Sequence, residues 1–185
     1  MSPKIEGAEG EREAILSVAR LMQAAARTAP KAAGRDDILT LVVYGAEKDA
    51  IADKMDEIAE QRKIDGFKRD AKSVKDSEAI VLIGVRGSRS LGLNCGACGY
   101  KNCREFEDAQ KRTGQDFVGP TCVFKALDLG VALGSAAKIA SILNIDNRIM
   151  YRIGTAALKL NLMPEATVAL GIPLSAKGKN IYFDR

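Results

Sequence analysis

All four cysteines of this 185-residue chain lie in one short part of the sequence. Cys95, Cys98 and Cys103 fall within the stretch LNCGACGYKNC, and Cys122 follows in GPTC, giving the pattern Cys-x2-Cys-x4-Cys-x18-Cys. Two thiolates separated by two residues can bind one metal ion or one face of a cluster, because the turn between them brings both sulfurs to the same side. The pattern therefore predicts a metal site, and any fold of this chain must bring Cys122 back to the other three.

Three interpretations of these cysteines stay open on spacing alone. A 4Fe–4S cluster takes four cysteine ligands, and so does a structural zinc ion. The zinc site usually shows two Cys-x2-Cys pairs, whereas this chain has one, at Cys95 and Cys98. In the third interpretation the four cysteines are incidental buried residues. Gly96 and Gly99 favour the cluster, because glycine permits backbone dihedrals that point N–H groups at sulfur.

The chain contains no histidine, which removes several classes of catalysis. Ser-His-Asp and Cys-His catalysis, histidine metal sites and zinc deaminase chemistry all depend on that side chain. Acid–base work near neutral pH would need a Lys, Asp, Glu, Tyr or Cys with a perturbed pKa. Simple hydrolase functions are therefore disfavoured, and no catalytic residue is assigned.

The composition is typical of a globular protein without a strongly charged surface. Lys and Arg number 28 against 24 Asp and Glu, an excess too small to predict nucleic-acid binding. The start of the chain lacks the apolar core of a signal peptide, and its uncharged runs are shorter than a membrane span of about 20 residues. We therefore expect a cytoplasmic protein, in which clustered cysteines indicate a metal more than disulfides.

Hydrophobic periodicity predicts a single domain, residues 1–185, built from mixed α and β layers. The predicted helices are Glu11–Ala26, Ala46–Arg62, Val123–Leu143 and Arg148–Leu160, and the predicted strands are Ile38–Tyr44, Ala79–Val85 and Ala166–Leu174. Residues 88–124, with the cysteines, form an insert after the second strand. From Leu129 to Leu143 only Lys138 is charged, so we expect extensive cover over that helix.

The cysteine segment resembles a known iron–sulfur module. LNCGACGYKNCREF…GPTC is similar to the short 4Fe–4S module in the ferredoxin-like subunit of ion-pumping electron-transport complexes and in corrinoid iron–sulfur proteins. That module has the form N-C-G-x-C-G-x-x-x-C with a distant fourth cysteine, and residues 94–103 match it. By that resemblance Cys95, Cys98, Cys103 and Cys122 are the ligands of one 4Fe–4S cluster.

The rest of the chain resembles the nitroreductase-like flavoproteins. The segments that carry this resemblance are ILSVARLMQAAARTAPKAAG, LDLGVALGSAAKIASILNI and MPEATVALGIPLS. With GPTCVFKALDLG and GIPLSAKGKNIYFDR added, nearly the whole chain resembles the uncharacterised ferredoxin-domain-containing proteins of anaerobic bacteria and archaea. These resemblances imply an α+β, nitroreductase-like fold: a mixed sheet packed by helices, with a small inserted cysteine-rich iron–sulfur lobe. They also imply a homodimer.

The resemblances imply a redox function, but they do not decide between an electron carrier and an enzyme. The expected function is electron transfer through the 4Fe–4S cluster, with a ferredoxin or a reductase as redox partner. One alternative is an FMN-dependent, nitroreductase-like oxidoreductase fed by the cluster, and another is a structural or sensory metal site without catalysis. FMN is disfavoured, because EGEREAIL lacks the Arg-x-Ser-x-Arg segment that binds its phosphate and Lys31 replaces the expected serine. Arg20, Arg27 and Lys31 are the cations that could compensate.

Overall fold

A four-stranded antiparallel sheet forms the centre of the protein. The computed structural model describes residues 3–183. In sheet order, the strands are β1 (Ile38–Tyr44), β2 (Ala79–Val85), β6 (Val168–Ser175) and β5 (Asp146–Asn147). β2 is buried along its whole length, because it has a strand on each side and a helical layer on each face. Its continuous apolar sequence, AIVLIGV, is what such a position requires.

Six α-helices occur in the described part of the chain. They are α1 (Gly7–Thr28), α2 (Ala46–Arg62), α3 (Asp65–Lys75), α4 (Cys103–Asp108), α5 (Val123–Ile142) and α6 (Tyr151–Lys159). α1 and α5 pack on one face of the sheet, and α2, α3 and α6 pack on the other. Because successive strand residues point to opposite faces, Val81 and Ile83 of β2 join the first core while Ile80 and Leu82 join the second.

The segment between β2 and α5, residues 86–122, is called the cysteine lobe here. It contains α4 and a small hairpin of β3 (Arg112–Thr113) and β4 (Val118–Gly119). The two ends of the lobe meet, because the backbone N–H of Cys122 donates to the carbonyl oxygen of Gly87 at 2.8 Å. The insert predicted from the sequence, residues 88–124, covers nearly the same part of the chain.

The predicted bounds of β1, α2 and β2 are confirmed, and the predictions for α1, α5, α6 and β6 differ from the observed elements at their ends. Helix α3 was not predicted. Its core-facing residues Phe67, Ala71 and Val74 have helical spacing but stand among charged residues. No helix within residues 3–183 is long and apolar enough to cross a membrane.

Helix α5 is covered less completely than its composition suggested. Its buried side packs against α1 and the sheet, while Leu127, Val131 and Ile142 are exposed on its other side. Lys138 is exposed as well.

Candidate metal site

The four cysteine side chains line one narrow cavity in the cysteine lobe. Cys95 is exposed, Cys98 and Cys103 are partly buried, Cys122 is buried, and all four are free thiols. The other lining residues are Ser90, Gly96, Tyr100, Asn102, Phe106 and Val123. The fold thus brings together all four of the residues that the sequence predicted as ligands, with one side of the group open to solvent.

Asn94 and Cys103 are joined by a reciprocal pair of hydrogen bonds. The backbone N–H of Asn94 donates to the Cys103 sulfur at 3.3 Å, and the Asn94 side-chain oxygen accepts from the Cys103 backbone N–H at 2.9 Å. Asn94 has a φ of 49°, a left-handed conformation that asparagine tolerates better than most residues. The hydrogen bond from the Asn94 N–H lowers the pKa of the Cys103 thiol. A lower pKa favours the thiolate, which is the form that binds a metal.

The Cys95–Cys98 turn depends on two glycines. Gly96 has a φ of 72° and Gly99 a φ of 87°, a region in which glycine alone is free of Cβ strain. The N–H of Gly99 closes the turn by donating to the Gly96 carbonyl oxygen at 2.9 Å. This compact turn keeps the two sulfurs on the same side of the backbone.

Cys103 is held at the first position of α4 by a capping arrangement. The side-chain oxygen of Asn102 accepts from the backbone N–H of Glu105 at 2.9 Å. In return, the Glu105 carboxylate accepts from the Lys101 N–H and from the Asn102 amide, both at 3.2 Å. The reciprocal contacts resemble a capping box and fix where α4 begins.

Cys122 directly precedes α5, a helix of 20 residues. The N-terminus of a helix carries a partial positive charge, which favours a thiolate or an anionic cluster placed there. Cys122 is the buried member of the four cysteines, and its N–H donates to the carbonyl oxygen of Gly87.

A buried group of charges lies one turn further along α5. The ammonium of Lys125, which is 0% exposed, lies 2.9 Å from an oxygen of Asp37 and donates to the carbonyl oxygen of Arg35 at 2.9 Å. It lies 3.9 Å from Oδ2 of Asp128, too far for a hydrogen bond, and that oxygen has no hydrogen-bond partner. The other Asp128 oxygen accepts from the Ala32 N–H at 2.8 Å. This group joins the start of α5 to the segment between α1 and β1.

The sequence analysis missed these charges, and two arginines at the start of the cysteine lobe, Arg86 and Arg89, also form ion pairs. Arg86 forms a two-point ion pair with Glu165, with contacts of 2.9 and 3.0 Å. Arg89 contacts the second oxygen of Asp37 at 3.0 Å. Both arginines therefore fasten the beginning of the cysteine lobe to the body of the protein.

A zinc ion and a four-iron cluster require different arrangements of their thiolate ligands. Within residues 3–183, no set of three or more Cys, Asp or Glu side chains is placed to hold one metal ion. Zinc needs its sulfurs about 2.3 Å from a single point. A four-iron cluster binds one thiolate at each iron, so its ligands surround a larger group. The four thiols lie around one small cavity.

Two of the three cations near the end of α1 make contacts within the protein. Arg27 contacts Asp36 and donates to the carbonyl oxygen of Ile38 at 2.9 Å. The Lys31 ammonium donates to the carbonyl oxygens of Ala26 and Arg27, and burial lowers its pKa. A dianionic phosphate needs several fixed, available donors. Two of the three cations that could compensate for the missing arginine-serine-arginine segment are thus already used.

The fold is similar to that of solved nitroreductases. A "putative nitroreductase in complex with fmn" from Desulfovibrio desulfuricans aligns with a TM-score of 0.56 and 14% identity, over 100% of this chain and 82% of its own. Nitroreductase CinD from Lactococcus lactis, in complex with nicotinic acid, aligns with a TM-score of 0.58 and 13% identity, over 99% and 86%. At these identities the likeness shows the fold alone, and the α+β, nitroreductase-like class expected from the sequence is confirmed.

Sequence comparison then gives the family. Residues 118–185 match a family model for an uncharacterized protein containing a ferredoxin domain, and residues 92–111 match one described as "Putative Fe-S cluster". An uncharacterized protein of Archaeoglobus fulgidus is 51% identical over 175 residues, which is 95% of this chain and 94% of that protein. The chain belongs to this family of ferredoxin-domain proteins, and the matches support an iron–sulfur protein.

Proposed function

We propose that the protein binds one 4Fe–4S cluster through Cys95, Cys98, Cys103 and Cys122 and that it works in electron transfer. The observation behind this proposal is the arrangement of the four thiols around one cavity. When bound, such a cluster accepts and releases single electrons at a potential set by its protein surroundings. The chain's own part is to hold the thiolates in place and to compensate their negative charge.

Charge compensation comes from backbone N–H groups rather than from side-chain cations. The Asn94 N–H donates to the Cys103 sulfur, and the N-terminus of α5 lies at Cys122. Hydrogen bonds to sulfur and nearby dipoles stabilise the more reduced cluster and so raise its potential. The exposed position of Cys95 leaves one side of the group open to a partner.

Metal analysis of anaerobically purified protein tests the ligand assignment. We expect about four irons and matching sulfide per chain, because each cysteine ligates one iron of the cluster. Stoichiometric zinc without iron uptake would overturn the assignment in favour of a structural zinc site.

The ligand variant Cys95→Ser has a matched control in Ala97→Ser. Both positions are exposed in the same turn, but only Cys95 lines the cavity. Cys95→Ser should lose iron during anaerobic dialysis, because a hydroxyl is a poor ligand for this cluster, whereas Ala97→Ser should keep it. Equal iron retention in the two variants would remove Cys95 from the ligand set.

The electron-transfer role is tested separately from the metal. A carrier should be reduced and reoxidised reversibly in a potentiometric titration, with electron paramagnetic resonance following the reduced cluster. A cluster that cannot be reduced without loss of iron would indicate a structural role. We propose a ferredoxin or a reductase as the partner protein. We also propose a cytoplasmic location, since clustered metal-binding cysteines are typical of a reducing compartment.

The proposal does not include tightly bound FMN, because Arg27 and Lys31 are occupied by internal contacts. Acid release of cofactors followed by an absorption spectrum, with added FMN as a control, tests this statement. Flavin bands near one equivalent would change the function to a flavin-dependent reductase fed by the cluster.

We also propose a homodimer formed through the outer side of α5. Leu127, Val131 and Ile142 are exposed there, and a Cβ at Gly130 or Gly134 would meet nothing within 4 Å. A surface that is apolar and free of bulky side chains at its centre permits close approach of a second copy.

A further inference from the structure

A second concave surface lies directly beside the cysteine cavity. It is a cleft of about 460 Å³ between the β3–β4 hairpin and Tyr100. Tyr100 lines both the cleft and the cysteine cavity, and its ring packs edge-on against Phe106, which belongs to the cysteine cavity. A molecule in the cleft would therefore lie one side chain away from the thiols.

The walls of the cleft suit a flat ring. Tyr100 and Phe117 provide two aromatic side chains, and Pro120 adds a third apolar surface. At Gly119 a Cβ would meet nothing within 4 Å, so the backbone there is open to a ligand. Aromatic rings favour offset-stacked or edge-to-face contacts with other rings. The volume lies within the usual range for small-molecule sites, about 300–1,000 Å³.

The polar side chains of the cleft are exposed and available to a ligand. Gln110, Arg112 and Thr113 line it, and none of their side chains has a hydrogen-bond or ion-pair partner in the part of the chain that the structure describes. Arginines elsewhere on the cysteine lobe do have partners: Arg86 binds Glu165 and Arg89 binds Asp37. An unpaired guanidinium offers paired donors that match a carboxylate.

We propose that this cleft binds a small aromatic anion, with its ring between Tyr100 and Phe117 and its anionic group on Arg112. The interpretation of that ligand as the molecule that approaches the cluster rests on the proposed function. The binding itself requires only the cleft.

Three probes separate the two parts of this recognition in titration calorimetry on the anaerobically purified full chain. They are 4-nitrobenzoate, which has both a ring and a charge, nitrobenzene, which lacks the charge, and cyclohexanecarboxylate, which lacks the aromatic ring. We expect 4-nitrobenzoate to bind at least tenfold more tightly than either of the others. No binding of 4-nitrobenzoate at millimolar concentration, or equal binding of cyclohexanecarboxylate, would overturn the proposal.

Variants locate the site. Arg112→Gln should weaken 4-nitrobenzoate about tenfold, the loss of roughly 1.4 kcal/mol expected for one charge-assisted contact. Phe117→Leu should weaken it as well. Arg104→Gln is the matched control, because Arg104 is an exposed arginine of the same lobe outside the cleft, and it should change affinity less than twofold. Equal weakening by Arg104→Gln would show a general charge effect and overturn the assignment to this cleft.

Measuring iron and sulfide in the same samples distinguishes a failure of the cluster proposal from a failure of the cleft proposal. Full binding by protein with little iron would support the cleft and count against the cluster. A full complement of iron without binding would do the reverse.

Discussion

Lys125 shows how a single residue can link the metal site to the body of the protein. It lies three positions after Cys122 on the first turns of α5, and its ammonium is 0% exposed. Its partners, Asp37 and the carbonyl oxygen of Arg35, come from the segment before β1. A buried ammonium is stable only with such partners, so the pair fixes the position of α5 and with it that of Cys122.

Replacing Lys125 by Met should therefore destabilise the protein by about 3 kcal/mol, because buried Asp37 keeps only the exposed Arg89 as a cationic partner and buried Asp128 loses the cation near it. Urea unfolding under anaerobic conditions measures the change. Lys138→Met is the control: Lys138 is exposed on the same helix, and its loss should cost less than about 0.5 kcal/mol. Equal effects of the two substitutions would show that the buried ion pair contributes nothing specific.

The sequence predicted that the four cysteines come together, but it did not predict the buried charges at the start of α5. The spacing of Cys95, Cys98 and Cys103 is local, so a motif reveals it. The burial of Lys125 depends on Asp37, which is remote in the chain, and nothing in the sequence next to Lys125 indicates that contact. Lys138 attracted notice instead, because it is isolated among apolar residues, yet the structure exposes it.

At the scale of elements, α6 packs with its backbone close to the backbone of β6. A Cβ on Gly154 of α6 would lie 1.7 Å from the carbonyl oxygen of Ala169 in β6. Only a residue without a side chain allows this approach, so the helix rests directly on the strand.

Gly154→Ala should therefore destabilise the protein by about 1–3 kcal/mol or more, since α6 must move away from the sheet. The matched substitution is Gly10→Ala in α1, where the new Cβ would meet one methyl group at 3.4 Å, an ordinary contact. That change should stabilise the protein by about 0.5–1 kcal/mol, because alanine is the better helix former. Thermal unfolding of both variants gives the comparison, and a neutral Gly154→Ala would refute the close packing.

Helices and strands were predicted correctly where the hydrophobic pattern was clear. β1 and β2 are short apolar runs, and both were found with correct bounds. Helix α3 was missed because its apolar residues are outnumbered by charges. The strands β3, β4 and β5 have two residues each, and pairing of such short segments depends on tertiary contacts that no local pattern contains.

At the scale of the whole molecule, the exposed side of α5 predicts how two copies meet. Val131→Glu should convert the dimer to a monomer, because dimerisation would bury an unpaired carboxylate in an apolar contact. Light scattering at micromolar concentration measures the mass. Ile64→Glu is the control, since Ile64 is also exposed but lies between α2 and α3 on the opposite face of the sheet. A wild-type protein that is monomeric, or a Val131→Glu variant that stays dimeric, would rule out this interface.

Because the two ends of the cysteine lobe meet at Gly87 and Cys122, we predict that the lobe can be removed without loss of the remaining fold. Neither core cluster contains a residue between Val85 and Leu129, so the scaffold does not need the module to fill its interior. Joining residue 87 to residue 122 through a short glycine-serine linker should leave a chain that unfolds cooperatively and contains no iron. Circular dichroism with metal analysis checks this, and an insoluble or unfolded product would disprove it. If the excised chain folds, the same two anchor points could accept a foreign segment, and a redox centre could be gained or exchanged without redesign of the sheet.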